Sequence, residues 1–336
     1  MEMSHMKRIA IELYGLSRSY KEAFPSFYFN LLQTNLRCGY IVDVFIHTWA
    51  ESDTSNISWH NPHGEQRGQD LSLNDYEDIL DKYRPKIIIV DDPIKFDKEA
   101  ILSERLKGFS RSYSSLISCF YSRYAVNEAR KQYEELHNLR YDWVLMTRFD
   151  IQFYNPFEIG KFLETFQDYG YPVKTNAIYV ACSPFKRGLI DFDDFSCCLD
   201  LILFAKPYVM DKVTFLYQDL MTETISVEFI YNSLYSMEAL WMRYWKLKHI
   251  ECIKLKYFEG NDYRILRLEE NQISKSKRIT GLYPRLRQTF TSFCLHLGPA
   301  FRGLTELPIV FFYLLKIGLK FVFRFTSSSL KGLIKS

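Results

Sequence analysis

The chain has 336 residues, of which 47% are hydrophobic and 17% aromatic, so it can fill the core of one large domain or two ordinary ones. Its 14 glycines and 11 prolines exclude collagen-like and low-complexity proteins. The formal net charge is +3, but residues 271–336 carry eleven Lys and Arg against one acid, while residues 1–270 carry 32 basic and 39 acidic residues. The tail is therefore +10 and the body −7, a distribution that argues against a nucleic-acid-binding body.

Through residue 151, short runs of β-forming apolar residues alternate with longer segments whose apolar residues recur every three or four positions. Glycine and proline end several segments, as Gly39 and Pro85 do. The predicted elements are strand 9–13, helix 24–38, strand 41–48, helix 76–83, strand 86–90, helix 112–136 and strand 141–151. This order predicts an α/β layered fold with a mainly parallel central sheet, in which ligands bind at the carboxyl ends of the strands.

Beyond Asn155 the predicted elements become shorter, and no Pro-, Gly- or Ser-rich linker separates them from the first half. They are strands 177–181, 201–205 and 253–257 and helices 213–222 and 237–247. We therefore predict one domain over residues 1–270 and a basic tail with amphipathic helices over residues 271–336.

The sequence Thr147-Arg148-Phe149-Asp150 ends the last predicted strand of the first half. Side chains at i and i+2 share a face of a strand, so Arg148 and Asp150 are expected to project together. At the carboxyl edge of a sheet, an aspartate can bind a divalent cation that bridges phosphates, and an arginine can bind phosphate oxygens directly. An ordinary ion pair at a strand end is the structural alternative.

Several segments resemble, in order and spacing, bacterial glycosyltransferases that build capsule and lipopolysaccharide sugars. These segments are 43–49 (DVFIHTW), 83–86 (YRPK), Tyr121-Ser122, Tyr133-Glu134 and 141–150 (YDWVLMTRFD). The resemblance covers residues 7–270 and implies a Rossmann-like fold of the GT-A class, in which a nucleotide-sugar lies over the first half. It also implies a DxD-type motif that holds Mn²⁺ or Mg²⁺.

This sequence departs from the two-acid motif, because Arg148 stands where the family has its first acid. The resemblance then implies Asp150 as the metal ligand. If no metal binds, Arg148 and Arg18 would offset the charge of the leaving diphosphate.

The resemblance also implies that the first loop, residues 15–19, contacts the nucleotide. Ser17 and Ser19 would bond ribose or phosphate oxygens, and Arg18 would supply positive charge. Ser122 would face the sugar-nucleotide from the long helix. The structural alternatives are a solvated turn and a serine that packs within the helix.

Sugar transfer with inversion needs a group that accepts the proton of the acceptor hydroxyl. The resemblance implies Glu238 for this role, with Arg267 near the end of the domain. The acidic run from Asp191, which contains Asp193 and Asp194, offers other candidates. A solvated acidic turn and a helix-start glutamate that favours the helix dipole are the structural alternatives.

The sequence contains no Walker A loop, GxSxG elbow or GxGxxG loop, so kinases, α/β-hydrolases and dehydrogenases lose their usual markers. We predict a glycosyltransferase that moves a sugar from a nucleotide-sugar donor to a growing surface polysaccharide or lipid-linked glycan. The alternatives are a catalytically silent, membrane-docked adaptor of the same fold and another nucleotide-dependent transferase.

Seven scattered cysteines without a CxxC pair, and no recognisable signal peptide, favour a reduced cytoplasmic protein. In the tail, the mainly apolar segment 307–325 is interrupted by Lys316, Lys320 and Arg324. Residues four apart advance about 40° around a helix, so the three cations form one stripe. We predict an interfacial helix that binds anionic headgroups on the inner face of the plasma membrane. A buried helix and a true membrane span are the alternatives.

Overall fold

The computed structural model describes residues 7–53, 69–93, 113–168, 173–182, 198–222, 224–226, 229 and 237–266. All of them lie in the unit Met1–Leu268, whereas the predicted tail lies outside the described residues, so the boundary at residue 270 stays a prediction. The strands are β1 (Arg8–Tyr14), β2 (Ile41–Trp49), β3 (Glu51–Asp53), β4 (Gln69–Asp70), β5 (Ile87–Asp91), β6 (Trp143–Arg148), β7 (Ile151–Phe153), β8 (Ala177–Cys182), β9 (Cys198–Ala205), β10 (Glu251–Phe258) and β11 (Tyr263–Ile265). The helices are α1 (Tyr20–Phe27), a π-helical turn (Tyr28–Leu32), α2 (Gln33–Arg37), α3 (Leu73–Tyr83), α4 (Tyr113–Leu136), α5 (Ile159–Asp168), α6 (Pro207–Thr214), α7 (Leu216–Met221) and α8 (Met237–Leu247).

Within the described residues, seven strands form one mixed sheet in the order β10-β8-β9-β6-β1-β2-β5. β1 runs parallel to β2 and β6, β2 runs parallel to β5, and β8 runs parallel to β10. β9 is antiparallel to both of its neighbours, β6 and β8. The predicted α/β class with a mainly parallel sheet is confirmed. No helix in the described part of the chain is both long and apolar enough to cross a membrane.

The order of the strands reverses beside β1. β2 and β5 lie on one side of β1, whereas β6, which follows them in the chain, lies on the other side. Open α/β sheets bind ligands in the crevice that such a switch point leaves beyond the carboxyl ends of the strands. The last residues of β1 and β6, Tyr14 and Arg148, are partners in the register, so the loops that follow both strands begin at this point.

The sheet is buried on both faces because the residues of β1 alternate between two hydrophobic cores. Ile9, Ile11 and Leu13 pack into the core that holds apolar side chains of α1, α3 and α5. Ala10 and Tyr14 face the opposite core, to which α4, α6, α7 and α8 contribute. Covering helices on both faces are the usual arrangement for parallel strands.

The predicted strand 141–151 is two strands in the structure. β6 ends at Arg148, a turn follows, and β7 pairs antiparallel with β11 in a second sheet. The backbone carbonyl of Asp150 accepts a hydrogen bond from Leu266 N at 2.7 Å, and the Phe149 ring packs into the core 5.6 Å from that of Tyr83. Asp150 therefore lies in a turn and not on the same strand as Arg148, because later parts of the chain capture the residues around it.

Other element boundaries also differ from the prediction. The helix predicted from Phe24 begins at Tyr20, and the helix predicted from Tyr76 begins at Leu73, because Ser72 Oγ accepts a hydrogen bond from Asp75 N at 3.1 Å and caps the helix. The helix predicted over 213–222 is instead divided between α6 and α7. α5 was not predicted.

Candidate functional site

The first loop, residues 15–19, leaves β1 at the switch point and leads into α1. Gly15 has a φ of 92°, a left-handed conformation that favours glycine, and Ser19 before the helix also lies in this region with a φ of 56°. Gly15 N donates a hydrogen bond to Ser122 Oγ at 2.8 Å, and Tyr20 N donates to the carbonyl of Ser17 at 3.2 Å. The path of the loop is therefore held from both of its ends.

Asp150 binds two arginines at this edge of the sheet. Its Oδ1 accepts a hydrogen bond from Arg148 Nε at 2.9 Å, and its Oδ2 accepts hydrogen bonds from Arg148 Nη2 at 2.5 Å and Arg18 Nε at 3.0 Å. The Asp150 side chain is 1% exposed, whereas the side chains of Arg18 and Arg148 are 18% and 22% exposed. We call these three residues the edge cluster.

The edge cluster holds an ionised carboxyl between two arginines. Burial by itself opposes ionisation of Asp150, but the attraction and hydrogen bonds of Arg148 and Arg18 outweigh it, so the pKa of this carboxyl lies below its usual range. One carboxylate bonds two guanidinium groups whose side chains are partly exposed, and guanidinium groups bind phosphate oxygens. The cluster therefore suits an anionic ligand.

The edge cluster does not fit a divalent cation. Both oxygens of Asp150 already accept hydrogen bonds from guanidinium groups, and the two positive charges would repel a third. Among the described residues, no group of three or more His, Cys, Asp or Glu could hold a metal ion. The expected role of Asp150 as a ligand of Mn²⁺ or Mg²⁺ finds no support in this geometry, which instead makes Asp150 the anchor of the arginines.

The three serines expected to contact a nucleotide occupy different places. Ser17 is fully buried in the first loop, and its hydroxyl has no hydrogen-bond partner within the described residues. Ser19 is 9% exposed just before α1. Ser122 is fully buried behind the loop, where its hydroxyl holds Gly15. The structure thus gives Ser122 a supporting place and not a ligand-facing one.

Sequence reasoning missed a second polar group, which surrounds His47. The His47 ring is fully buried, with Nδ1 at 2.7 Å from Ser122 Oγ and Nε2 at 3.2 Å from Asp91 Oδ2. Tyr121 donates a hydrogen bond to the same oxygen of Asp91 at 2.6 Å. The ends of β2 and β5 and one face of α4 bring these residues together. The sequence signal that could have found this group is that His47, Tyr121 and Ser122 lie in segments that carry the family resemblance.

The environment determines the protonation of His47. Burial lowers the pKa of His47 to about 4, against the opposing effect of Asp91, so the ring is neutral at neutral pH. The carboxylate of Asp91 requires a donor, so Nε2 carries the proton and Nδ1 accepts the hydrogen bond from the Ser122 hydroxyl. Both ring nitrogens of His47 are then matched with a partner of the right kind.

Glu238 lies in the first turn of α8, where an acid favours the helix dipole. Trp241, three residues further on, packs 3.9 Å from the guanidinium of Arg123. Arg123 in turn donates a hydrogen bond to the Tyr14 hydroxyl at 2.8 Å, and Tyr14 is the last residue of β1. This buried stack ties the start of α8 to the switch point, so Glu238 remains a candidate base.

Asp193, Asp194 and Arg267 lie outside the described residues, so their roles stay predictions.

The comparisons with known proteins add no family to this geometry. No family model matches the chain, and no curated protein matches it. The resemblance to capsule and lipopolysaccharide glycosyltransferases therefore stays a prediction, and the function has to be inferred from the site itself.

Proposed function

We propose that this chain is a nucleotide-sugar-dependent glycosyltransferase of the Rossmann-like GT-A type, acting on a growing surface polysaccharide or a lipid-linked glycan. The observation that carries the proposal is the edge cluster, in which buried Asp150 holds Arg18 and Arg148 at the switch point of the sheet. The cluster joins the first loop to the end of β6, and the family resemblance involves the same two places. That resemblance is the support for sugar as the transferred group.

In the proposed reaction, the acceptor hydroxyl oxygen forms a bond to the anomeric carbon, and the bond from that carbon to the diphosphate oxygen breaks. Negative charge develops on the departing diphosphate, and Arg18 and Arg148 would stabilise it. Asp150 would be a positioning residue, because it holds both guanidinium groups. The unpartnered hydroxyl of Ser17 would donate a hydrogen bond to the ligand.

The proton of the acceptor hydroxyl would go to a carboxylate. Among the residues that the structure describes, Glu238 is the candidate base. Contacts among Trp241, Arg123 and Tyr14 connect its helix to the end of β1. Asp193 and Asp194 remain alternatives from the sequence. No step of this scheme passes through a metal ion, so the expected Mn²⁺ or Mg²⁺ becomes a question for experiment.

Calorimetry on the full-length protein tests the proposal with UDP, GDP and CMP, each with Mn²⁺ and with EDTA. We expect one of these nucleotides to bind. We also expect Arg148→Ala to lower the affinity for that nucleotide by tenfold or more. Release of free sugar from the matching nucleotide-sugar would then demonstrate catalysis. If none of the three nucleotides binds under either condition, the proposal is wrong.

A catalytically silent adaptor of the same fold is the second candidate. The engagement of both Asp150 oxygens by arginines favours it, because the acid of the motif then serves the structure of the edge. An adaptor would release no sugar from any nucleotide-sugar. A methyl- or phosphotransferase would instead show a melting temperature raised by S-adenosylmethionine or ATP and not by UDP, GDP or CMP.

Location at the membrane is part of the proposal and rests on the sequence of residues 271–336. The cations of this tail would bind anionic lipid headgroups on the inner face of the plasma membrane, where a lipid-linked acceptor would also lie.

A further inference from the structure

Asp91 has one carboxylate oxygen fixed by the protein and one that is not. It is the last residue of β5, and its Oδ2 accepts hydrogen bonds from the Tyr121 hydroxyl at 2.6 Å and from His47 Nε2 at 3.2 Å. No residue in the described ranges donates a hydrogen bond to Oδ1, and the side chain is 34% exposed. The protein therefore orients this carboxylate and leaves an acceptor atom for a further donor.

A chain of hydrogen bonds connects Asp91 to the first loop. His47 Nε2 donates to Asp91, Nδ1 accepts from the hydroxyl of Ser122, and Ser122 Oγ accepts from Gly15 N. His47 and Ser122 are both fully buried, so water does not compete for these bonds. The position of Asp91 is thereby fixed relative to the loop that carries Ser17 and Arg18.

Aromatic rings pack against Tyr121, whose hydroxyl donates a hydrogen bond to Asp91. Tyr121 packs 5.6 Å from Trp49 and 5.1 Å from Tyr217, measured between ring centroids. Tyr121 and Tyr217 are partly exposed, whereas Trp49 is 5% exposed and supports them from the end of β2. An oriented acceptor beside partly exposed rings suits a flat or ring-shaped ligand that carries hydroxyl or N–H donors.

The distance from the edge cluster decides which part of a nucleotide-sugar Asp91 can reach. β5 and β6 are three positions apart in the sheet order, so at a strand spacing of about 4.8 Å their backbones lie roughly 14 Å apart. The reacting carbon of the sugar is bonded to the terminal phosphate, so it must lie near the arginines. The strand spacing favours a role for Asp91 away from that carbon, and a nucleoside diphosphate is long enough to span the gap.

We propose that Asp91 Oδ1 binds a hydroxyl or N–H of the nucleoside while the edge cluster binds the diphosphate, and that His47 and Tyr121 are positioning residues for Asp91. This inference rests on the proposed function and adds to it the direction in which the nucleotide lies. The nucleoside lies towards β5, and the diphosphate lies between β1 and β6.

Binding of two probes by the full-length protein separates the two ends of the site. The probes are inorganic pyrophosphate and the nucleotide that binds best among UDP, GDP and CMP. We expect Asp91→Asn to lower the affinity for the nucleotide at least tenfold and to leave the affinity for pyrophosphate unchanged within twofold. The reason is that the isosteric amide places a hydrogen-bond donor opposite the donors of the ligand. Arg148→Ala, the matched variant at the other end, is expected to weaken both probes.

The positioning role is tested with Tyr121→Phe and His47→Gln. Tyr121→Phe removes one hydrogen bond to Asp91. It should lower the affinity for the nucleotide about threefold without changing the affinity for pyrophosphate. In His47→Gln, the glutamine can still donate a hydrogen bond towards Asp91 but loses the hydrogen bond to Ser122. Because Ser122 then supports the first loop less well, we expect this variant to bind both the nucleotide and pyrophosphate more weakly. A general loss of stability would lower the affinity for both probes in the two variants alike and would contradict the positioning role.

Failure of the inference and failure of the proposed function give different results. If Asp91→Asn binds the nucleotide as tightly as the unmodified protein, Asp91 has no role in recognition, although the glycosyltransferase proposal stands. If the same variant loses affinity for pyrophosphate to the same extent as for the nucleotide, the proposed placement of the nucleoside towards β5 is wrong. If the unmodified protein binds neither probe, both proposals fail. Because Tyr121→Phe is a mild change, the prediction remains testable even where Asp91→Asn does not fold.

Discussion

Two clusters of arginine and carboxylate lie beside β1, and they differ in their ratio of arginine to acid. The edge cluster has two arginines and one acid, and both arginines are partly exposed at the switch point. The second cluster lies in the interior of the same unit and has one arginine and three acids. We call it the interior cluster, which consists of Glu12, Arg130, Glu134 and Asp211.

Arg130 is the centre of the interior cluster. It donates hydrogen bonds to Glu12 Oε1 at 3.0 Å, to Glu134 and to Asp211, and both Arg130 and Glu12 are fully buried. Glu12 Oε2 has no hydrogen-bond partner among the described residues. Burial, against the attraction of Arg130, raises the pKa of Glu12 to about 8, so this acid holds its proton at neutral pH.

The difference shows how the ratio of arginine to acid separates a binding site from a structural network. At the edge, Arg148 and Arg18 keep Asp150 ionised, and their partly exposed guanidinium groups can contact an anion. In the interior, Glu12 takes up a proton, because its carboxyl is fully buried and Arg130 also pairs with Glu134 and Asp211. We therefore expect the edge cluster to govern ligand binding and the interior cluster to govern the dependence of stability on pH.

The largest expected effect is that of Asp150→Ala. Removing this acid leaves two guanidinium groups side by side without their partner, which should lower the free energy of unfolding by about 3–5 kcal/mol. Urea denaturation measures the change. The control is Glu251→Ala, which breaks the exposed pair of Glu251 and Lys174, whose side chains are 51% and 45% exposed, and should cost less than about 1 kcal/mol. Equal losses in the two variants would contradict the structural role of the edge cluster.

The next effect concerns Glu12 and high pH. Its pKa is about 8 in the folded chain against the ordinary glutamate value of 4.5, so the folded state binds the proton more tightly than the unfolded state does. Stability from this group is full below the unfolded pKa and is lost as the pH rises through about 8. The loss has a limiting slope of about 1.4 kcal/mol per pH unit.

Glu12→Gln keeps the shape of the protonated acid and should remove this slope between about pH 6.5 and 8. Urea denaturation at several pH values in this window measures it. This pH window avoids the titration of His47. The stability that depends on neutral His47 is lost in the opposite direction, as the pH falls from 6.5 towards about 4. An unchanged slope in Glu12→Gln would show that the interior cluster does not control the pH dependence.

Arg148→Lys should have a smaller effect, on binding more than on folding. Lysine keeps the charge but cannot donate two hydrogen bonds to Asp150 in a fixed plane, so we expect pyrophosphate to bind about tenfold more weakly, or about 1.4 kcal/mol. Calorimetry measures the affinity. Arg264→Lys is the matched control, because Arg264 is exposed on β11 and hydrogen-bonds to Gln152. A similar loss in both variants would contradict a specific anion site at the edge cluster.

The smallest expected change in stability comes from removing the tail. Truncation after Glu270 removes the +10 segment, and the remaining chain should keep its melting temperature and its affinity for pyrophosphate, because the edge cluster supplies its own charge. Binding to vesicles that contain anionic lipid, measured by sedimentation, should be lost. If the truncated protein still sediments with the vesicles, the tail is not the anchor. If its pyrophosphate affinity falls, the tail contributes to the site.

The alternation of apolar runs and amphipathic segments determined the fold class, since periods of two and of 3.6 residues are local properties of the sequence. The pattern also indicated the carboxyl edge and the pair Arg148 and Asp150, because the ends of parallel strands lie together at one edge. It could not show that β7 would pair with β11, because the two strands are more than 100 residues apart in the chain.

The amino-acid sequence by itself determined the layered α/β class, the charged tail and the two arginines and one aspartate of the edge. Only the tertiary structure decided what each polar residue does. In the folded chain, both oxygens of Asp150 accept hydrogen bonds from arginines, and Ser122 is buried behind the first loop. His47 and Asp91, on neighbouring strands, are hydrogen-bonded to each other. The physical reason is that the charge and hydrogen bonding of a side chain depend on burial and on partners from distant segments, which local spacing does not encode.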